Sequence, residues 1–107
     1  MLKLDEAAAG LEALGNPSRL TIYRILVRAG YDGKPVGQIQ QATGIAASTL
    51  SHHLKHLELA KLVTRRKNGT THFCCANYDA MEALLEFLTE ECCAEGDEDQ
   101  QLSPRWR

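Results

Sequence analysis

Asn68-Gly69 lies between two β-prone runs, residues 62–67 and 70–76. This dipeptide tolerates the positive φ angles that close a two-residue hairpin, so the stretch reads as a β-hairpin. What precedes it narrows the fold further. Residues 35–43 read as a short helix, Gly44 as a turn, and residues 46–59 as a longer helix. A short helix, a Gly-containing turn and a second helix make the helix-turn-helix layout. In the second helix Leu50, Leu54 and Leu57 recur at i, i+4 and i+7, which sets one face toward a core. Ser48, Ser51, His52 and Lys55 fall on other faces.

The flanking segments complete the architecture. Residues 3–14 carry Leu4, Ala8, Leu11 and Leu14 at helical spacing. Asn16 then serves as an N-cap with Pro17 in the first turn of a second helix, which runs to about Ala29. With Leu20, Ile22, Tyr23, Ile25, Leu26 and Val27 it is apolar nearly all round, as a central core helix would be. Gly30-Tyr31-Asp32-Gly33 is a turn. Residues 79–93 read as a last helix with Met81, Leu84, Leu85 and Leu88 on one face. The fold class is therefore mainly α with a small β-hairpin, a winged helix-turn-helix in the order α-α-α-α-β-β-α. Residues 1–93 form the domain, and residues 94–107 are an acidic tail whose composition predicts disorder.

At 107 residues there is room for one domain and little else. No apolar run approaches the roughly 20 residues that span a bilayer, and no basic segment precedes an apolar one as in a secretory signal. A membrane partner is not expected. The four cysteines come as adjacent pairs, Cys74-Cys75 and Cys92-Cys93. In the reducing cytoplasm expected for such a chain, thiols serve more often as ligands or sensors than as structural bridges.

The formal net charge of −2 conceals an uneven distribution. Residues 46–72 hold Lys55, Lys61, Arg65, Arg66 and Lys67 against Glu58 alone, together with all four histidines. Residues 79–99 hold nine acids and no base. A basic stretch is often only a solvated face. Set on a helix-turn-helix and its wing, it reads as a footprint for phosphate. A helix fits the major groove of B-DNA, and short polar side chains on it reach base edges. Ser48, Thr49, Ser51, His52 and Lys55 are the candidates there. Arg65, Arg66 and Lys67 are expected to ring the hairpin tip and to meet phosphates or the minor groove. The competing reading is a helix-turn-helix that binds only protein, which the basic wing disfavours. His52 and His56 have the i, i+4 spacing of a helical metal grip. With no third ligand beside them, DNA contact or core packing is the preferred role, and His53 faces the leucine side.

The chain resembles the arsenic-repressor (ArsR/SmtB) family over residues 4–93. The marks are Leu14-Gly15-Asn16-Pro17-Ser18-Arg19-Leu20, Ser48-Thr49-Leu50-Ser51-His52-His53-Leu54-Lys55-His56-Leu57, and the wing from Leu62-Val63 to Tyr78. The resemblance implies a cytoplasmic homodimeric repressor, not an enzyme, that binds double-stranded operator DNA. It also implies an interface built from the first and last helices. Leu4, Ala8, Leu11, Met81, Leu84, Leu85 and Leu88 are the corresponding candidates, and the apolar face on residues 79–93 has nothing else in the domain to cover it.

Family members sense ions at several places. A Cys-x-Cys segment in the helix before the recognition helix has no counterpart in Gln38–Ala42, and the last helix has no histidine for a zinc-type site. Leu88-Thr89-Glu90-Glu91-Cys92-Cys93 resembles the arsenite-responsive members with adjacent cysteines at the end of the last helix. Those members carry a third cysteine downstream, and this chain has none after Cys93. The expected effector is trivalent arsenic, arsenite or an organoarsenical, with no obligatory cofactor. Cys92 and Cys93 are the candidate ligands. A monosubstituted organoarsenical needs only two thiolates, and Cys74 or Cys75 of a partner chain is the alternative source of a third. One of Cys74 and Cys75 should be a core residue, because they point to opposite faces of a strand. Glu90 and Glu91 are expected to raise the pKa of the Cys92-Cys93 thiols. Rival readings are the same fold responding to persulfide or oxidant, an effector-free regulator, and last a small thiol enzyme. The enzyme ranks last because there is no Cys-x-x-Cys.

Overall fold

The computed structural model describes residues 2–96. The distal part of the tail, residues 97–107, lies outside the described residues, and so does the disorder predicted for it. The elements run α1 (Leu4–Leu14), α2 (Pro17–Ala29), β1 (Lys34–Pro35), α3 (Val36–Thr43), α4 (Ala47–Leu59), β2 (Val63–Asn68), β3 (Thr71–Ala76) and α5 (Tyr78–Thr89). This is the winged helix-turn-helix that the sequence predicts, with one strand added.

Local chemistry sets the boundaries. Asn16 Oδ1 accepts from Arg19 N at 3.1 Å, and Pro17 opens α2, where a missing N–H costs nothing. Asn77 does the same for α5, with Oδ1 accepting from Ala80 N at 3.3 Å. Gly44 closes α3 in the left-handed conformation, its N–H donating to Gln40 O at 2.8 Å. Three residues then separate α3 from α4, which fixes the helix-turn-helix.

The core gathers Ile22 and Leu26 of α2, Ile39 of α3, Leu50, Leu54 and Leu57 of α4, and Cys74 of β3, all fully buried. The leucine spacing read in α4 is thus the inward face. Truncating any of these leucines to Ala would cost about 2–5 kcal/mol. The α2 helix is less enclosed than its composition predicts. Ile22, Tyr23 and Leu26 are buried, while Leu20 is 43 % exposed.

Three features add to or change the sequence reading. First, Leu4, Ala8 and Leu11 of α1 face outward, as their place among the interface candidates requires, and small residues form the buried side. Ala7, Gly10 and Ala13 are the buried residues, whereas Leu4 and Leu11 are 70 % and 43 % exposed. Small residues let α1 approach α5 closely, and a Cβ on Gly10 would already stand 3.4 Å from Leu84 Cδ2. Second, the sheet has three strands in the order β1-β3-β2. The turn before α3 contributes Lys34 and Pro35, which pair with Cys74 and Phe73 of β3. Two residues with a proline on an edge strand leave no pattern that periodicity detects. Third, the hairpin loop is Gly69-Thr70 instead of Asn68-Gly69, because Asn68 pairs with Thr71. Gly69 has φ of 66° at the first loop position, while Asn68 and Thr70 keep ordinary negative φ, the pattern of a type II′ turn.

Candidate nucleic-acid interface and thiol pair

The outer surface of α4 is polar and open. Ser48, Thr49, Ser51, His52 and Lys55 are all exposed, opposite the buried leucines. This is the face that the sequence assigns to the major groove. His56 is only half-exposed and is engaged inside the protomer, its Nε2 standing 2.8 Å from Glu12 Oε2 of α1. Arg19 of α2 joins the same carboxylate at 3.8 Å and donates from Nε to Ala13 O at 2.7 Å. Three helices therefore meet at Glu12, a partner that no spacing rule could have indicated. His53 packs inward, with a buried Nδ1 that has no hydrogen-bond partner among the described residues. Burial, and then the nearby Arg19 charge, hold its pKa below the ordinary imidazole value.

The wing differs from its prediction. Arg65 and Arg66 do not ring the tip. The register sets them opposite Cys74 and Phe73, lower on the ribbon and on alternate faces. Arg65 forms an ion pair with Glu58 at the end of α4. Arg66 lies 4.7 Å over the Phe73 ring and donates from Nη2 to Asp32 O at 2.6 Å. Each arginine thus ties the wing to the body, Arg65 to α4 and Arg66 to the turn before β1. Lys67, paired across the ribbon with His72 and one residue from Asn68, is the basic residue nearest the tip.

The two cysteine pairs part company. Cys74 is fully buried in the core, and desolvation pushes its thiol pKa up to about 11. Such a thiol has no access to solvent and resists ionisation, so Cys74 is withdrawn from the candidate ligands. Cys75 points to the other face, half-buried, with Sγ donating to Tyr31 O at 3.5 Å. Gly33 lies beneath it. A Cβ there would come within 2.5 Å of Cys75 Sγ and closer still to the Cys74 carbonyl oxygen.

Cys92 and Cys93 lie just beyond α5, which ends at Thr89, four residues before the predicted boundary of 93. Acids at a helix C-terminus oppose the macrodipole, and Glu90 and Glu91 have no basic residue in the last turn to offset them. The chain leaves in successive turns instead, with Cys92 N donating to Thr89 O at 2.9 Å and Gly96 N to Cys93 O at 3.0 Å. Cys93 takes φ of 60°. The result brings Cys92 Sγ and Cys93 Sγ to 3.6 Å. The Cys92 pKa is raised, as the sequence suggests, but the chief cause is its hydrogen bond with Cys93 and not the neighbouring glutamates. Among the described residues no group of three or more His, Cys, Asp and Glu side chains is arranged to hold a metal ion.

The interface candidates divide. Leu4, Ala8 and Leu11 on α1 and Leu85 and Leu88 on α5 are exposed. Leu84 is buried against Gly10 within the protomer, and Met81 is half-buried against the core.

A helix-turn-helix domain model matches residues 14–66, from the end of α1 to the middle of β2. The nodulation protein NolR of Rhizobium meliloti is 35 % identical over 86 residues, covering 79 % of this chain and 68 % of NolR. In structure, a homodimeric winged helix-turn-helix DNA-binding domain of the ArsR type from Mycobacterium bovis superposes with a TM-score of 0.67 at 30 % identity. The match covers 89 % of this chain and 88 % of that one. The chain belongs to the ArsR family. As a member it is a DNA-binding transcriptional repressor rather than an enzyme. Another relative, from Halobacterium salinarum, carries the name of an arsenical resistance operon repressor and is 35 % identical over 80 residues, 75 % of this chain and 66 % of that protein. No helix among the described residues is long and apolar enough to cross a membrane.

Proposed function

We propose that this ArsR-family repressor acts as a homodimer on a two-fold operator and is released by a trivalent arsenical bound to Cys92 and Cys93. The observation that carries the effector reading is the 3.6 Å separation of two adjacent sulfurs at an exposed turn. One thiophilic centre can bond both. The chemistry balances without an oxidant, since two thiols condense with two As–OH groups, form two As–S bonds and release two waters. A monosubstituted organoarsenical has two such positions and is satisfied by this pair. With Cys74 locked in the core, inorganic arsenite keeps a third hydroxyl unless Cys75 of a partner chain supplies the third thiolate.

The dimer reading rests on Leu4, Ala8, Leu11, Leu85 and Leu88, which leave an apolar face on α1 and α5 without cover. Two copies joined there would present two α4 helices to successive major grooves, roughly 34 Å apart. Release then requires that the arsenical bind the DNA-free form more tightly, a coupling of about 1–3 kcal/mol or more.

The test is operator-DNA anisotropy in reducing buffer, titrated in parallel with arsenite and phenylarsine oxide. Release by the organoarsenical at lower concentration than by arsenite, abolished by Cys92→Ser or Cys93→Ser, supports the reading. Release only by persulfide or a mild oxidant, with loss of two hydrogens per chain, replaces it with thiol-redox control. Tight binding unaffected by any of these agents makes the protein an effector-free regulator.

A further inference from the structure

A groove of about 440 Å³ runs between α2 and α5, walled by Leu20 and Val27 on one side and by Met81, Leu84 and Leu85 on the other. Of the residues on which the dimer reading rests, Leu85 alone lines it. Two features set it apart from a plain apolar seam. Arg24 and Arg28 also line it, both exposed and one helical turn apart on α2. Among the described residues no carboxylate pairs with either. Like charges at i, i+4 disfavour a helix, and an anion held between them removes the penalty. The second feature is Tyr23, which lines the same groove, is 4 % exposed, and has a buried hydroxyl with no hydrogen-bond partner among the described residues. Burial, and then the nearby Tyr78, hold its pKa above the ordinary phenol value, so it remains a donor at neutral pH. A buried O–H without an acceptor is costly, and an oxygen arriving with a ligand supplies one.

We propose that this groove binds a medium-chain fatty carboxylate, with the acyl chain along the apolar walls and the carboxylate held by Arg24, Arg28 and the Tyr23 hydroxyl. The size is that of a small-ligand site, which is typically mostly apolar with a few converging polar groups. The walls are aliphatic, and from Leu20 to Arg28 the α2 side rises about 12 Å. A single unbranched chain suits such a trough, whereas a nucleotide or sugar phosphate would leave its walls uncovered. Guanidiniums grip a carboxylate through paired, charge-assisted hydrogen bonds, which are the stronger kind. The polar groups thus fix the head of the ligand, and burial of its methylenes supplies most of the affinity. Leu85 belongs both to the groove and to the apolar face read as the dimer interface, so an occupied groove stands beside that interface. The inference rests on α2 and α5 and is independent of what binds Cys92 and Cys93.

The test is isothermal titration calorimetry of the full-length protein with decanoate, octanoate, decanol and acetate. Decanoate should bind saturably. Octanoate, two methylenes shorter, should bind roughly tenfold more weakly. Decanol, which keeps the chain and loses the charge, should be weaker than decanoate by about tenfold or more, and acetate should not bind. Arg24→Gln/Arg28→Gln changes only exposed side chains, so the fold is kept. It should weaken decanoate about tenfold or more and leave decanol unchanged. Tyr23→Phe should weaken decanoate severalfold. No saturable binding of decanoate overturns the proposal. So does decanol binding as tightly as decanoate, or decanoate affinity that survives the arginine changes, since the groove is then only an apolar face. Decanoate affinity that falls as protein concentration rises would assign the groove to a second copy and overturn it as well.

Discussion

Cys74-Cys75 and Cys92-Cys93 are the same dipeptide in two places, and the fold gives them opposite fates. In β3 the pleat sends neighbouring side chains to opposite faces, so Cys74 enters the core and Cys75 turns outward to Tyr31 O. After α5, a tight turn with Cys93 at positive φ brings the two sulfurs together at 3.6 Å on the surface. Adjacency along a chain therefore does not make a chelating pair. The backbone between the residues decides whether the thiols converge, and burial decides whether they ionise.

The largest expected difference between the pairs is in reactivity. With a small alkylating agent under native conditions, Cys92 and Cys93 should react first and Cys75 more slowly. Cys74 should react only when the chain opens, roughly a thousandfold or more slower. Mass spectrometry of partially labelled protein checks the order, and early labelling of Cys74 would break the comparison. Next is Gly33→Ala. It introduces a Cβ against the Cys74 carbonyl and Cys75 Sγ at a position with φ of 74°. We expect a loss of about 3 kcal/mol or more in a denaturant melt, by steric clash and strain together.

Smaller effects follow. Cys74→Ser puts a hydroxyl into an apolar core and should cost about 1–3 kcal/mol. Cys92→Ser at the exposed turn should stay within about 0.5 kcal/mol while removing the arsenical response. Equal costs for the two would show that burial is not what separates them. On the wing, Lys67→Ala should reduce the salt slope of DNA binding by about one. Arg66→Ala, which loses the Phe73 and Asp32 contacts, should lower thermal stability as well. The smallest expected effect is a pH dependence. The His53 pKa is lowered in the folded state, so the unfolded chain takes up the proton first as pH falls. Stability is full above the ordinary imidazole value of about 6.5 and declines below it, down through the lowered folded pKa. His53→Gln should flatten that acid-side decline in melting temperature, and an unchanged slope would assign it to other groups.

Much of the site was legible in the sequence. Leu50, Leu54 and Leu57 named the buried side of α4, and the same spacing left Ser48, Thr49, Ser51, His52 and Lys55 to the outside. The wing was less legible, because no local rule shows that Glu58 will hold Arg65 or that Asp32 and Phe73 will hold Arg66. Those contacts join residues far apart in the chain, and a run of three basic residues looks alike whether it is free or tethered.

The sequence by itself determined the succession of elements, the caps at Asn16 and Pro17, the turn at Gly44 and the hairpin. Each of these depends on backbone preferences over a few residues. Tertiary structure alone decided which face of α1 is buried: Ala7, Gly10 and Ala13 lie inside, and at Gly10 it is the Leu84 side chain opposite, not hydrophobicity, that calls for a small residue. It also recruited Lys34 and Pro35 as a third strand and turned the chain out of α5 before the second cysteine pair. Periodicity reports how apolar a face is, while the partner across the gap decides which face fits.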